Sequence, residues 1–223
     1  MLHIHTTLPK AIVAISCDGK LIHFLINEEQ KEHSAFLHEA IEQLLKMADL
    51  KPVDIKTVGI TSGPGSYSGI RVGLSAAKGF CYALKIPLVT FNTLEALGIS
   101  FYELFPGETG AVCPMIDARR MEVFTAIYDK SQKLLFEPCA LEIDAISYKS
   151  LVGYGVSAFV GSGSPKVSNL FSENPQLFER QVDITPQSLV ILTNKKYQLK
   201  QFEDVSGADA VYLKAVHFAT KNS

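Results

Sequence analysis

The sequence predicts an α/β fold built as two tandem halves, and three observations carry that prediction. A short apolar run, Thr57-Val58-Gly59-Ile60, leads through a Gly-Pro-Gly turn into Leu74–Leu84, whose pattern is helical. Upstream lie three short apolar runs followed by one amphipathic stretch. Beyond the turn-rich joint Phe105-Pro106-Gly107-Glu108-Thr109-Gly110 the same order of elements begins again. Three strands, a helix, a strand and a helix, done twice, divide the chain into residues 1–105 and 110–223. The repetition is one of element order, and no period of about 20–50 residues is visible in the residues themselves.

The elements follow in sequence. Residues 1–7 form a first strand, ended by Leu8-Pro9. Ala11–Cys17 and Leu21–Ile26 are the next two, joined by the two-residue hairpin signal Asp18-Gly19. A helix runs from about Glu32 to Ala48, with Leu37, Ile41, Leu44, Leu45 and Ala48 on one face and Lys51-Pro52 closing it. After the Gly-Pro-Gly turn and its helix, Leu88–Phe91 reads as a strand. Asn92 or Thr93 then caps a helix reaching about Tyr102. In the second half, Ala111–Ile116, Val123–Tyr128 and Leu134–Ile143 read as strands, with a turn at Asp129-Lys130-Ser131. Helices are expected around Asp144–Leu151, Pro165–Phe171 and Pro186–Leu199.

Composition bounds the function. In 223 residues, 47% are apolar and 20% charged, the balance of a globular protein with a real core. The net charge of −2 lacks the basic surplus of a stand-alone RNA binder. Cys17, Cys81, Cys113 and Cys139 are scattered with no Cys-x-x-Cys pair, so they read as buried, reduced thiols of a cytosolic protein. No apolar run approaches a membrane span, and no signal core opens the chain, which predicts a cytoplasmic protein without membrane contact.

The central turn can do two things. Gly63 and Gly65 permit backbone angles closed to other residues, Pro64 stops any ladder, and Ser66 is placed to cap the following helix. Such a turn ahead of a helix N-terminus either cradles an anion or serves as a tight connection. It is not a Walker A loop, because no Gly-Lys-Ser/Thr follows. Further along, Gly69, Gly73 and Ala77 fall four apart, with Phe80 and Leu84 extending the face. That spacing fits close packing within the chain or a helix interface with another chain.

The stretch Gly63-Pro64-Gly65-Ser66-Tyr67-Ser68-Gly69-Ile70-Arg71-Val72-Gly73 closely resembles the signature of the TsaB (YeaZ) family. The match continues through Pro87-Leu88-Val89, Asn92–Leu97 and Ile116-Asp117-Ala118-Arg119-Arg120-Met121-Glu122-Val123-Phe124, and thins out in the last third. The resemblance implies the actin-like ATPase (ASKHA) fold, with two RNase H-like βββαβα subdomains. It implies a non-catalytic subunit required for threonylcarbamoylation of the adenosine beside the anticodon in tRNAs reading A-starting codons. The chain would bind and support TsaD, which carries the metal and transfers the group. TsaE would join as an ATP-hydrolysing subunit, and tRNA would be met only within the complex. Alone, the chain would form a homodimer. The face of Gly69, Gly73, Ala76, Ala77 and Phe80 would serve either pairing, because like and related folds can share one surface. No cofactor is required on this reading, and ATP or ADP would enter at or near the subunit interface. The alternatives are an independent nucleotide-dependent kinase or ATPase, and a glycoprotease-like peptidase.

Individual residues carry weaker signals. Thr6, Thr7, Gly63, Gly65 and Asp117 are the candidates for the nucleotide side of such a fold. Asp117 equally suits a turn cap or an ion pair with Arg119 or Arg120. Where relatives have an acidic residue in the first strand, this chain has His5, which argues against magnesium-dependent phosphoryl chemistry. His3 and His5 share a strand face but make a weak metal signal. His33 and His38 stand five apart rather than four, so their rings diverge, with His38 toward solvent. Gly161-Ser162-Gly163-Ser164-Pro165 resembles a nucleotide-contacting turn of the fold, though an ordinary loop has the same composition. No catalytic or metal-ligating residue is assigned, and no His-Glu-x-x-His or Gly-x-Ser-x-Gly supports proteolysis.

Overall fold

The computed structural model describes residues 1–29, 32–173 and 178–214. In the first half, β1 (Leu2–His5), β2 (Ala11–Cys17), β3 (Lys20–Asn27), β4 (Val58–Thr61) and β5 (Leu88–Phe91) form one sheet in the order β3-β2-β1-β4-β5. The first three strands are antiparallel, and β4 and β5 add in parallel. The hairpin between β2 and β3 turns on Asp18 (φ 49°) and Gly19 (φ 74°), both left-handed as a two-residue hairpin demands.

The second half repeats the plan. β6 (Ala111–Asp117), β7 (Glu122–Tyr128), β8 (Leu134–Glu142), β9 (Val156–Val160) and β10 (Phe178–Arg180) assemble in the order β10-β9-β6-β7-β8. Again three antiparallel strands are followed by two parallel additions. Each half carries one strand beyond the plan of three strands, helix, strand, helix; the first half adds an α-helix and the second a 3-10 segment.

Two helices of the first half pack on its own sheet. They are α1 (His33–Met47), through Leu37, Ile41 and Leu44, and α2 (Tyr67–Leu84), through Leu74, Ala77 and Cys81. α2 begins well before Leu74, capped by Ser66, whose hydroxyl accepts from the Gly69 N–H at 3.2 Å. Asn92 caps α3 (Thr93–Leu104), accepting from the Leu94 N–H at 2.8 Å. In the second half come α4 (Ala145–Val152), a 3-10 segment at Ser164–Glu173, and α5 (Pro186–Gln198), capped by Thr185.

The last helix of each half crosses over. α3 packs on β6, β7 and β9, while α5 packs on the strands of the first sheet. Their shared core joins Phe91, Leu94, Leu97 and Phe101 to Val112, Ile116, Ala158, Leu189 and Leu192. The turn at 105–110 thus lies between two sheets but not between two cores. Residues 200–214 return to the first half, where Glu203 N–H donates to the Leu88 carbonyl at 2.9 Å and Val211 N–H to that of Ser62 at 2.8 Å. Residues 215–223, assigned from sequence to the second half, lie outside the described residues.

All four cysteines are free. Cys81 and Cys113 are buried as expected and Cys139 half-buried, but Cys17 is exposed, because β2 runs out into the hairpin there. Among the described residues no helix is long and apolar enough to cross a membrane.

Candidate functional site

The Gly-Pro-Gly turn, the end of β1 and the first turns of α2 meet in one tightly packed junction. Ser66 N–H donates to the Thr7 carbonyl at 2.7 Å, Thr93 N–H to the Gly63 carbonyl at 2.8 Å, and Thr6 Oγ1 to the Gly69 carbonyl at 2.7 Å. Glycine is required here by close approach. A Cβ on Gly65 would sit 2.1 Å from the Thr7 carbonyl oxygen, on Gly69 2.0 Å from that of Thr6, and on Gly73 2.3 Å from Thr6 Oγ1. Gly63 and Gly65 also hold φ of +120° and +152°, and a Cβ on Gly63 would meet the Val211 carbonyl at 2.5 Å.

The small-residue face of α2 is thereby accounted for inside the chain. Gly69, Gly73 and Ala77 are buried; the two glycines let α2 lie against Thr6, just past β1, and the helix packs on β4. They are not available to a second chain, contrary to the expectation that they contact one. The spacing revealed close packing correctly but could not say against what. Ala76 and Phe80, from the same predicted face, are half-buried and border a groove with Val72, Leu84 and Arg71 of α2 and with His38 of α1.

The first-strand histidines are structural. His3 Nδ1 lies 2.9 Å from Thr193 Oγ1 and Nε2 lies 2.7 Å from Ser16 Oγ. His5 Nδ1 lies 2.9 Å from Thr61 Oγ1 and 3.3 Å from Thr7 Oγ1, which itself meets Thr93 Oγ1 at 3.0 Å. Burial, reinforced by the terminal ammonium beside His3 and by His33 beside His5, lowers both imidazoles to about 3, so both are neutral at ordinary pH. His33 is buried with Nε2 3.0 Å from the Pro9 carbonyl, while His38 is exposed, so the two diverge as their spacing predicts. Among the described residues no three His, Cys, Asp or Glu side chains gather in a metal-ligating group.

Three of the five nucleotide-side candidates, Thr7, Gly65 and Asp117, border one open hollow of about 810 Å³ between the halves, with Ser66, Ser68, Arg119 and Ser162. Thr6 and Gly63 are fully buried and do not border it. Asp117 accepts from the Arg119 N–H at 2.6 Å and pairs with Lys166 at 2.7 Å. Slight burial pulls its pKa up. The Lys166 ammonium and the Arg119 N–H outweigh that and hold the carboxyl below its usual range. Both structural roles expected for Asp117 are present, but its ion partner is Lys166, far along the chain. Ser162 Oγ accepts from the Asp117 N–H at 3.1 Å, which brings the second glycine turn to the same hollow.

One cluster at the rim was not foreseen. Tyr67 and Tyr212 stack with ring centroids 5.4 Å apart, and the Arg71 guanidinium lies 4.1 Å over the Tyr67 ring and donates from Nε to the Tyr212 hydroxyl at 3.3 Å. Tyr67 and Arg71 stand inside the recognised signature, but nothing local in the sequence links them to Tyr212.

A family model described as TsaD, tRNA N6-adenosine threonylcarbamoyltransferase, matches residues 26–217. The tRNA threonylcarbamoyladenosine biosynthesis protein TsaB of Bacillus subtilis is 32% identical over 123 residues, which cover 55% of this chain and 52% of that protein. The protein of the same name from Buchnera aphidicola subsp. Schizaphis graminum is 25% identical over 86% of this chain and 90% of its own length. The chain thus spans about half the length of the first curated relatives it matches and most of the length of another. The solved structure of YeaZ from Pseudomonas aeruginosa superposes with a TM-score of 0.74 at 21% identity, covering 95% of this chain and 98% of that one, which shows the same fold. With the family model covering well over half its residues, the chain belongs to the tRNA N6-adenosine threonylcarbamoyltransferase family, in its TsaB (YeaZ) branch.

Proposed function

We propose that this chain is a non-catalytic partner subunit in the threonylcarbamoylation of adenosine beside the anticodon of tRNA, acting by binding a TsaD subunit through the outer face of α2. The observation that carries this reading is the division of α2 into two faces. Its inner face packs tightly on Thr6 and on β4, where Gly69 and Gly73 leave no room for a Cβ. Its outer face presents Val72, Ala76, Phe80 and Leu84 beside α1 in an open, mainly apolar groove. A rigid helix with an apolar outer stripe suits docking, since little ordering entropy is lost on association. The same stripe would serve a second copy when TsaD is absent.

The hollow between the halves supports the non-catalytic part of the proposal. Its Thr7 hydroxyl is engaged with His5 and Thr93, and its carboxylate, Asp117, is paired with Lys166. Those residues are a poor fit for a cation seated beside phosphate. ATP or ADP would enter the assembly at or near the subunit interface, TsaE would be a further subunit, and tRNA would be met by the complex as a whole.

The test is reconstitution. The chain should co-purify with a TsaD protein from the same source, and modification of tRNA by that TsaD should require it. Full modification without the chain, or no association with TsaD, would overturn the proposal.

A further inference from the structure

Among the described residues, Arg71 is the one permanently charged side chain lining the groove beside α2. Val72, Ala76, Phe80 and Leu84 run along that groove, and Arg71 stands at its end nearest the Gly-Pro-Gly turn.

Arg71 is held by two rings. Its guanidinium lies 4.1 Å over Tyr67, and its Nε donates to the Tyr212 hydroxyl at 3.3 Å. Tyr212 itself stacks on Tyr67 and is carried by residues 200–214, which are pinned next door where Val211 N–H donates to the Ser62 carbonyl. This clamp uses one N–H of the guanidinium. The two terminal NH2 groups make no hydrogen bond or ion pair among the described residues. Asp209 attracts the guanidinium through space without forming an ion pair with it.

We infer that Arg71 sets the partner specificity of this face: it receives a carboxylate from a TsaD partner whose apolar surface fills the groove, and Tyr212 is its positioning residue. The inference rests on the proposed docking of TsaD at α2. A guanidinium edge matches a carboxylate with two parallel N–H···O bonds, and it is more weakly hydrated than an ammonium. Clamping by Tyr67 and Tyr212 reduces the ordering entropy lost when the pair forms. A second copy of this chain has no carboxylate to offer from the same groove. α2 contains no Asp or Glu from Tyr67 to Leu84. α1 gives the groove Ser34 and His38, and its Glu39 and Glu42 stay outside the lining. A self-pair through the groove would cover two arginines without a counter-charge, so the charge favours the unlike pair.

Affinity for TsaD, its salt dependence and self-association of the whole chain together test this role. Arg71→Gln should melt like the parent and raise the dissociation constant for TsaD at least about tenfold. Raising salt from about 0.05 to 0.5 M should weaken parental binding and leave the Arg71→Gln complex nearly unchanged. Arg71→Lys should recover only part of the affinity, since it returns the charge without the planar fork. Tyr212→Phe keeps the ring and removes the acceptor. It should weaken TsaD binding by about threefold in the parent and not at all in the Arg71→Gln chain. In sedimentation equilibrium, self-association of Arg71→Gln should be undiminished. Self-association that weakens as much as TsaD binding would overturn the inference, because a merely structural residue would affect both. Ala76→Arg separates this inference from the proposed function. If Ala76→Arg loses TsaD while Arg71→Gln keeps the parental affinity and salt dependence, the docking face stands and the role of Arg71 falls. If both variants keep TsaD, both readings fall.

Discussion

The turn after β4 and the turn after β9 occupy equivalent places in two sheets of the same strand order, yet they are built from different physics. The first is closed by contact: three glycines admit backbone and hydroxyl oxygens where a Cβ would stand about 2 Å away, and a long helix follows. The second, Gly161-Ser162-Gly163, is looser, with a Cβ on Gly163 meeting Val123 at 2.9 Å and Met115 at 3.0 Å, and only a 3-10 segment follows. The adjoining strand ends differ in the same sense. His5 is buried and neutral among hydroxyls, whereas Asp117 is half-exposed and charged beside Lys166. One topology thus supports a rigid mount for a helix in one half and a solvated ion pair in the other.

Acid should produce the largest difference. His3 and His5 have folded pKa values near 3, so between about pH 6.5 and 3 the unfolded chain binds more protons than the folded one, and stability falls as pH falls. At full shift each histidine contributes about 2 kcal/mol of loss by pH 5. Urea unfolding at pH 7 and pH 5 should show a drop approaching about 4 kcal/mol, reduced by about half in His5→Gln. A flat profile would mean that the imidazoles are solvated.

Next come the glycines. Gly69→Val should cost about 3 kcal/mol or more, because the Thr6 carbonyl belongs to backbone and cannot move aside. Gly163→Ala should cost less, about 1–2 kcal/mol, since its contacts with Val123 Cγ1, Met115 Cβ and the Ile116 backbone lie at 2.9–3.1 Å and need only a small shift. Comparable melting temperatures for the two would erase the contrast between the turns.

The ion pair comes lower. Asp117 has a lowered folded pKa, so its contribution is present above its unfolded value near 4 and is lost as pH falls through the folded one. With the side chain 48% exposed, Asp117→Asn should cost only about 0.5 kcal/mol at pH 7 by urea unfolding. The smallest effect is of opposite sign. Nothing stands within 4 Å of a Cβ at Gly79 in α2, so Gly79→Ala should stabilise by about 0.5–1 kcal/mol in thermal unfolding.

What could be read in the sequence was local. Asp18-Gly19, Leu88–Phe91 and the Asn92 cap were legible because turn and cap chemistry acts over a few residues. The exchange of α3 and α5 between sheets was not, since apolar spacing on a helix names a buried face but not its partner. The same limit put Gly69, Gly73 and Ala77 on a surface between chains when they are buried in the first half, the glycines against Thr6. Gly65 and Asp117 stand in stretches that resemble the family and Thr7 at the end of the first strand, so all three could be named from sequence as bordering one place, whereas Lys166 and Tyr212 come near it only through the folded chain.

The division of α2 into a core face and a docking face is tested most directly by one pair of variants, Ala77→Arg and Ala76→Arg, each measured for melting temperature and for capture of TsaD. Ala77 is fully buried, so Ala77→Arg should unfold the chain or lower its melting temperature sharply, through a buried unpaired charge. Ala76→Arg should melt like the parent, lose TsaD and lose support of tRNA modification together. A folded Ala76→Arg chain that still binds TsaD and sustains modification would contradict the docking face, and a stable Ala77→Arg chain would contradict the core face.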